Sequence, residues 1–169
     1  RNDGTAVLTA ARNTDSTIDM SNSSSGDYTI AGGFENDRLT GGIGVDTIVG
    51  DKGNDIINGG AGNDLIWGME GDDNITGGAG SDIFYFGNNM GQDIITDFNE
   101  SLGDKINFGD IEDSDITILQ EGTNLKYVLS DNSSLMLINP VLNKSTEDEN
   151  QETENQQDQQ EETQQQTPL

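Results

Sequence analysis

Residues 32–85 read GGFENDRLT, GGIGVDTIV, GDKGNDIIN, GGAGNDLIW, GMEGDDNIT and GGAGSDIFY, six consecutive units of nine residues. Each unit begins with glycine, has aspartate at its sixth position and has a large apolar residue at its eighth. The aspartates are Asp37, Asp46, Asp55, Asp64, Asp73 and Asp82. The apolar residues are Leu39, Ile48, Ile57, Ile66, Ile75 and Phe84. Three columns in one register indicate a repeat architecture, in which each unit packs on its neighbours.

The unit divides into a turn and a short strand. Glycines at positions one, two and four are expected to supply the positive φ angles that a tight turn needs. The last three residues alternate in side-chain direction, so the apolar residue at position eight points inward. Two units therefore form one coil of 18 residues, and successive units alternate between the two edges of a flat parallel roll.

This geometry places the aspartates in two rows. One edge is predicted to carry Asp37, Asp55 and Asp73, and the other Asp46, Asp64 and Asp82. Neighbours in a row lie one strand spacing apart, about 4.7–4.9 Å, so their carboxylates repel unless a cation lies between them. Ca²⁺ suits such a row because it takes about six to eight oxygen ligands, some of them backbone carbonyls, whereas Mg²⁺ demands stricter octahedral geometry.

The unit resembles the repeat of the RTX (repeats-in-toxin) family, also called hemolysin-type calcium-binding repeats, written G-G-x-G-x-D-x-U-x with U apolar. The resemblance implies an all-β fold, a right-handed parallel β-roll that binds Ca²⁺. It also implies export of the unfolded chain by a type I secretion apparatus, followed by folding on extracellular calcium. After Tyr85 the register slips by two residues before a degenerate unit, NNMGQDIIT. There Asp93 extends the first row of metal ligands if a bulge absorbs the slip.

The pairs 37–55, 55–73, 46–64 and 64–82 predict about four Ca²⁺ ions in the regular array. Further ligands are expected from backbone carbonyls near the glycines of positions two and four. These are Gly33, Gly42, Gly44, Gly53, Gly60, Gly62, Gly71, Gly78 and Gly80. Glu35 replaces glycine at position four of the first unit, and Asp51 and Met69 replace the second glycine of two others. We therefore expect the weakest site at the Asp37 end.

The flanks of the array set the expected domain boundaries. Residues 1–31 form a lead-in with strand-like runs at 6–10 and 17–20, in which Tyr28 takes the aspartate position of a metal-free capping unit. The roll is expected over 32–96 and a β-rich cap over 97–144. The strand-like runs of this last part are 96–100, 104–108, 115–119, 124–130 and 134–140. Residues 145–169 contain eight glutamines and eight acidic residues, so we expect them to be disordered.

Composition excludes several functions. The chain has 32 acidic and 7 basic residues, a formal net charge of -25, which argues against nucleic acid or an anionic membrane as partner. It has no cysteine and no histidine, which excludes thiol nucleophiles, Cys/His zinc sites and His-based triads. No apolar run is long enough to span a membrane. We expect no catalytic residue in this chain.

The leading interpretation is a monomeric calcium-binding module of a secreted, extracellular bacterial protein, in which surface attachment stays open. The chain begins at Arg1, so we expect it to be part of a longer polypeptide. An alternative is the C-terminal targeting domain of a secreted protease, lipase, epimerase or toxin whose catalytic domain lies upstream. An adhesin or ice-binding array is disfavoured because position three carries no threonine or asparagine ladder. Residues 145–169 are either an export signal or a linker.

One outer face of the roll is predicted to be apolar. Its members are Thr47, Val49, Leu65, Trp67, Ile83 and Tyr85, at positions seven and nine of alternate units. An apolar patch of this kind is normally covered. We expect the C-terminal strands (Phe98, Ile106 and Phe108) or the lead-in to pack on it; the alternative is a docking face for an upstream domain.

Overall fold

The computed structural model describes residues 6–11, 13–24 and 26–143, which form an all-β structure with two 3₁₀ turns and no α-helix. Strands 1 to 7 are β1 (Ala6–Thr9), β2 (Thr17–Asp19), β3 (Tyr28–Gly33), β4 (Arg38–Thr40), β5 (Thr47–Lys52), β6 (Ile56–Ala61) and β7 (Leu65–Glu70). The later strands are β8 (Asn74–Ala79), β9 (Ile83–Tyr85), β10 (Gln92–Ile95), β11 (Lys105–Asn107), β12 (Ile116–Glu121), β13 (Asn124–Leu129) and β14 (Ser134–Leu137).

Two facing sheets share these strands. Sheet A has the order β1-β3-β5-β7-β9-β11, and sheet B has the order β2-β4-β6-β8-β10-β14-β13-β12. Along the solenoid the chain alternates between the sheets, and strands on the same sheet pair in parallel. In the array Ile48 lies beside Ile66 and Ile57 beside Ile75, which is the predicted coil of 18 residues. The predicted parallel roll is therefore confirmed, as a β-solenoid.

The core of the roll is a narrow column of apolar side chains between the sheets. The residues at position eight, and Ile30 at the same register in the lead-in, are at most 3 % exposed. They are Ile30, Leu39, Ile48, Ile57, Ile66, Ile75 and Phe84. Because strand side chains alternate, a shift of one residue would turn this whole column toward solvent, and this fixes the register.

Beyond Tyr85 the coils lengthen but the core keeps its register. Ile95 lies beside Ile75 and Ile106 beside Phe84, so the additional residues fall in the turns. The carboxylate of Asp97 accepts the amides of Gly77 and Gly78 at 2.9 and 2.8 Å, which ties the longer turn to the preceding coil. The slip after Tyr85 is thus absorbed outside the strands.

The strands predicted at 104–108, 115–119, 124–130 and 134–140 appear as β11 to β14, of which β12, β13 and β14 form an antiparallel meander on sheet B. The prediction of a strand at 96–100 is wrong. Asn99 accepts the amide of Ser101 at 3.0 Å and caps a 3₁₀ turn over Glu100–Leu102, which ends at Gly103 with φ 105°. Side chains that bond nearby amides compete with ladder formation, which explains the difference.

The apolar outer face lies on sheet A, where its six residues are half-buried. The rings of Trp67 and Tyr85 stack on neighbouring strands, with centroids 3.9 Å apart and planes 9° from parallel. The prediction that Phe98, Ile106 and Phe108 cover this face is wrong. Ile106 continues the inner column beside Phe84, Phe98 packs against the Phe84 ring, and Phe108 packs against Phe86. Strand β1 of the lead-in pairs edge-on with β3 instead of lying across the sheet.

The domain boundaries proposed from sequence remain predictions. Residues 145–169, the tail expected to be disordered, lie outside the described part of the chain. Within the described part, no helix has the length and hydrophobicity needed to cross a membrane.

Candidate metal centre

The aspartates of the first edge form a continuous hydrogen-bonded ladder. The amide of each member donates to Oδ1 of the aspartate one coil further on, at 2.7 to 3.0 Å. The members of this first ladder are Ser16, Asp37, Asp55, Asp73 and Asp93. Ser16 begins the ladder without a carboxylate of its own. Asp93 closes it, so the structure brings Asp93 into line with the predicted row.

The second edge repeats this arrangement. Its members are Tyr28, Asp46, Asp64, Asp82 and Asp104, again joined from amide to Oδ1 at 2.7 to 3.0 Å. Tyr28 occupies the aspartate register without a carboxylate, as the sequence predicted for a capping unit. Asp104 was not predicted as a site residue, because a coil of 22 residues separates it from Asp82. The signal was present in the sequence as the Asp-Lys-Ile that follows the array.

The second carboxylate oxygens are the unusual feature of these ladders. Every ladder aspartate is at most 5 % exposed. The Oδ2 atoms of Asp37, Asp55, Asp64, Asp73 and Asp82 are buried and have no hydrogen-bond partner among the described residues. At Asp46 the Oδ2 atom accepts the amide of Gly42 at 2.8 Å. A buried charged oxygen without a partner is strongly destabilising, so each of these five atoms calls for a cation or a proton.

The first glycine of each unit lies against this Oδ2 atom. A methyl group added at Gly41 would lie 2.5 Å from Oδ2 of Asp46 and 2.1 Å from the carbonyl oxygen of Gly59, one coil further on. At Gly59 the corresponding distances, to Asp64 and Gly77, are 2.5 and 2.4 Å. The same convergence occurs at Gly32 and Gly50. A carboxylate oxygen and a carbonyl oxygen therefore approach the same point at four places. At three of them, those of Asp37, Asp55 and Asp64, the Oδ2 atom has no hydrogen-bond donor among the described residues.

Gly68 and Gly77 differ from these four. A methyl group at Gly68 would meet only the carboxylate of Asp73 at close range, and at Gly77 the Phe84 ring lies 2.8 Å from the corresponding point. These two units precede the longer coils that lead to Asp93 and Asp104. The convergence of carboxylate and carbonyl is thus confined to the intervals 37–55, 46–64, 55–73 and 64–82.

The expectation that glycine at position one supplies a positive φ is wrong. None of these glycines is left-handed, and they are required because a Cβ would collide with the oxygens just described. Left-handed backbone does occur at position four, as in Gly62 with φ 144°. It also occurs at position two of four units, and there Asp51 (φ 80°) and Met69 (φ 76°) adopt it without being glycine. Glu35 does not adopt it, so the first turn departs from the others.

The structure shows a close approach for six of the nine carbonyls predicted as metal ligands, and those of Gly33, Gly78 and Gly80 remain predictions. Those of Gly42, Gly44, Gly53, Gly60, Gly62 and Gly71 approach the equivalent glycine of the next coil on their edge, within 1.6 to 2.4 Å of where its Cβ would lie. The carbonyls that approach the Oδ2 atoms of Asp37, Asp46, Asp55 and Asp64 belong instead to Gly50, Gly59, Gly68 and Gly77, which sequence reasoning did not name. The signal for them was the glycine at position one of every unit.

Burial raises the pKa of five ladder carboxyls above the ordinary value for aspartate. The pKa of Asp55 and of Asp64 rises to about 7, because burial penalises the charged form and neighbouring aspartates add repulsion, opposed by the amide bond. The pKa of Asp73 and of Asp82 rises to about 6, and that of Asp93 to about 8, again chiefly through burial. Keeping these buried carboxylates ionised at neutral pH therefore costs free energy, and a bound cation would offset that cost.

The residues present fit Ca²⁺. Carboxylate and carbonyl oxygens are hard ligands that Ca²⁺ prefers, and a flexible coordination number suits sites built mainly from backbone. In the described residues no three Asp, Glu, His or Cys side chains gather around one point. A cation between two rungs would therefore take most of its oxygens from the glycine-rich turns and few from side chains.

The fold and these ladders define a class, a β-roll whose turns converge carboxylate and carbonyl oxygens between its coils. A family model described as the RTX calcium-binding nonapeptide repeat, in four copies, matches residues 24–57 and 49–84. This part of the chain is therefore an array of RTX calcium-binding repeats. A comparison with curated proteins gave no match.

Proposed function

We propose that this chain is a Ca²⁺-dependent folding module of a secreted bacterial protein, without a catalytic role of its own. The observation that carries the proposal is the set of five buried Oδ2 atoms without a partner. They lie on ladders whose amide bonds already use the other carboxylate oxygen. Neutral protein groups do not stabilise these oxygens, and a divalent cation would do so while also relieving repulsion along each ladder.

We place about four ions in the roll, one in each interval where a carboxylate and a first-glycine carbonyl converge. Asp37, Asp55 and Asp73 would hold those of the first ladder, and Asp46, Asp64 and Asp82 those of the second. Asp93 and Asp104 would close the ladders. Because the core contributes only two apolar side chains per coil, cation binding would supply free energy for folding.

The test is a calcium titration of the chelator-treated chain, with far-UV circular dichroism and Trp67 fluorescence as readouts. We expect little β-structure without calcium, and cooperative folding in millimolar calcium that buries Trp67 against Tyr85. Equilibrium dialysis of the folded protein should give about four bound Ca²⁺ ions. Magnesium at the same concentration is the control and should not fold the chain. A roll fully formed in chelator would contradict the proposal.

Secretion is part of the same proposal and is supported at the level of the repeat family. A module that requires calcium in the range of extracellular sites, about 10⁻⁴–10⁻³ M, stays unfolded in the cytosol and folds after export. We propose the type I apparatus as the export partner and the extracellular medium as the destination. Export of a reporter fused to residues 86–169, with and without residues 141–169, would test whether the last segment is the signal.

A further inference from the structure

We propose that the groove at the C-terminal end of the roll, beside strand β11, binds an extended segment of another polypeptide that carries lysine or arginine between apolar residues. The groove adjoins the end of the second ladder at Asp104 but lies outside the intervals assigned to the ions, and it adds a binding function to the proposed one.

The groove exists because the two sheets differ in length. Sheet A has six strands and ends at β11, whereas sheet B has eight and continues from β14 through β13 to β12. Within the described part of the chain, sheet B thus extends beyond the last strand of sheet A. A strand added next to β11 would continue sheet A and face this extension.

The edge of β11 offers backbone groups to such a strand. Toward β9 the ladder uses the amide of Lys105, donated to Asp82 at 2.9 Å, and the carbonyl of Asn107, which accepts from Phe86 at 3.0 Å. Successive residues of a strand direct their backbone groups to opposite edges. The amide and the carbonyl of Ile106 therefore point toward the groove, in position to pair with an extended segment.

The groove has a volume of about 300 Å³, enough for one or two large side chains. Its apolar walls are Phe98, Ile106, Phe108, Tyr127 and Leu142. The rings of Phe108 and Tyr127 lie with centroids 5.4 Å apart and are tilted by 49°. Aromatic faces next to an acidic group favour a cation with an apolar stem, which is the form of a lysine or arginine side chain.

Charge selects the occupant among the segments that could fit. Glu100 and Asp104 line the groove with Lys105, and Glu112, Asp113 and Asp115 follow just before β12. The Glu100 carboxylate lines the groove with Tyr127, and its Oε2 accepts the amide of Asn143 at 2.9 Å. Burial and then the charge of Glu100 raise the pKa of Tyr127. The segment after Asn143 has eight acidic residues, and a second copy would bring a net charge of -25. Both would be repelled, so a basic partner fits best.

The test uses the full chain in millimolar calcium and the blocked pentapeptide Thr-Val-Arg-Val-Thr, followed by ¹⁵N NMR. Chemical shifts should change at Ile106 and Tyr127, and hydrogen exchange of the Ile106 amide should slow. The peptide with citrulline in place of arginine should bind more weakly, and so should a peptide N-methylated along one edge. Glu100→Gln should weaken binding about threefold, whereas the exposed control Glu121→Gln should leave it unchanged.

Three results would overturn the proposal. Equal binding of the arginine and citrulline peptides would remove the charge argument. Shift changes confined to the Trp67 and Tyr85 face would place the site elsewhere. Slow exchange of the Ile106 amide without peptide would show that the chain fills the groove itself, through its own terminus if independent of protein concentration and through a second copy if not.

Discussion

At the scale of single residues, the two carboxylate oxygens have different roles in the five ladder aspartates whose Oδ2 atom has no partner among the described residues. In Asp64, Oδ1 accepts the amide of Asp46 at 2.8 Å and holds two coils together. Its Oδ2 is buried, has no partner and faces the carbonyl of Gly77. The first oxygen serves the fold, and the second is suited to a cation. Substitutions that preserve one role and remove the other can therefore separate them.

Asp64→Asn is expected to retain the amide bond and lose the charge. The calcium concentration at the midpoint of folding should rise by about tenfold, because one anionic ligand is lost. Without calcium the same variant should be more stable than the parent, since a buried charge and its repulsion are removed. Calcium titration by circular dichroism gives the first result, and the β-structure signal that remains in chelator, compared between variant and parent, gives the second.

Asp72→Asn is the matched control for this substitution. Asp72 is exposed, and its Oδ1 accepts the amide of Gln92 at 2.9 Å, a bond that asparagine can also make. The calcium concentration at the folding midpoint of Asp72→Asn should stay close to that of the parent protein. A midpoint for Asp64→Asn equal to that of this control would show that Asp64 does not bind the metal.

At the scale of the turn, glycine is required for two different physical reasons. At position one it leaves room for converging oxygens, and its backbone conformation is ordinary. At positions two and four it supplies a left-handed conformation, which Asp51 and Met69 adopt at a cost. A sequence pattern shows glycine in both cases. It does not distinguish a position that has no room for a side chain from one that needs a left-handed backbone.

Gly59→Ala tests the requirement for space. The new methyl would lie 2.4 Å from the carbonyl oxygen of Gly77 and 2.5 Å from Oδ2 of Asp64, so the coils must separate. We expect a loss of about 1–3 kcal/mol in the free energy of unfolding in saturating calcium, measured with urea. The control is Gly87→Ala, whose nearest neighbour is the flexible Met90 side chain at 3.6 Å. Equal stability of the two variants would contradict the close approach.

Asp51→Gly tests the conformational requirement. Asp51 is exposed and has φ 80°, so glycine should relieve strain and raise the free energy of unfolding by about 1 kcal/mol. Asp110→Gly removes the same charge at an exposed position without left-handed backbone, and it should give no such gain. Urea unfolding of both variants in calcium makes the comparison. A gain at both positions would assign the effect to charge.

At the scale of the whole molecule, the roll is a stack of buried like charges around a thin apolar column. Five ladder carboxyls have a raised pKa in the folded chain, so the folded state without calcium favours their protonated forms; they are those of Asp55, Asp64, Asp73, Asp82 and Asp93. Protons and calcium are therefore alternative ways to neutralise the same ladders. The formal net charge of -25 adds a general repulsion that both would reduce.

Acid should partly replace calcium. For a carboxyl with a raised folded pKa, the stabilisation is fully present below the unfolded pKa of about 3.9 and disappears as pH rises through the folded value. For Asp55, Asp64 and Asp93 the folded pKa is about 7, about 7 and about 8. Circular dichroism of calcium-free protein should show β-structure near pH 4 that disappears by about pH 8.

In saturating calcium the stability of the roll should depend on pH in the opposite direction and be greatest at neutral pH. The reason is that protons compete with Ca²⁺ for the same oxygens. This arm is the control for general effects of pH on the chain. Calcium-free protein that is equally unfolded at both ends of the pH range would contradict the burial of these carboxyls.

The sequence alone determined the coil length, the inward column and the two rows of aspartates. These depend only on the period of the repeat, since a strand period of two and a coil of two units place Ile48 and Asp46 without knowledge of any distant contact. The placement of Asp93 followed from the same register once the slip was allowed to fall in a turn.

Only the tertiary structure decided features that depend on residues far apart or on coils of unequal length. It added Asp104 to the second ladder across a 22-residue coil, and it assigned the facing carbonyls to the first glycines. It also left sheet B longer than sheet A, which creates the groove beside β11. Periodicity carries no information on these points, because each is set by how non-repeating segments pack on the end of the roll.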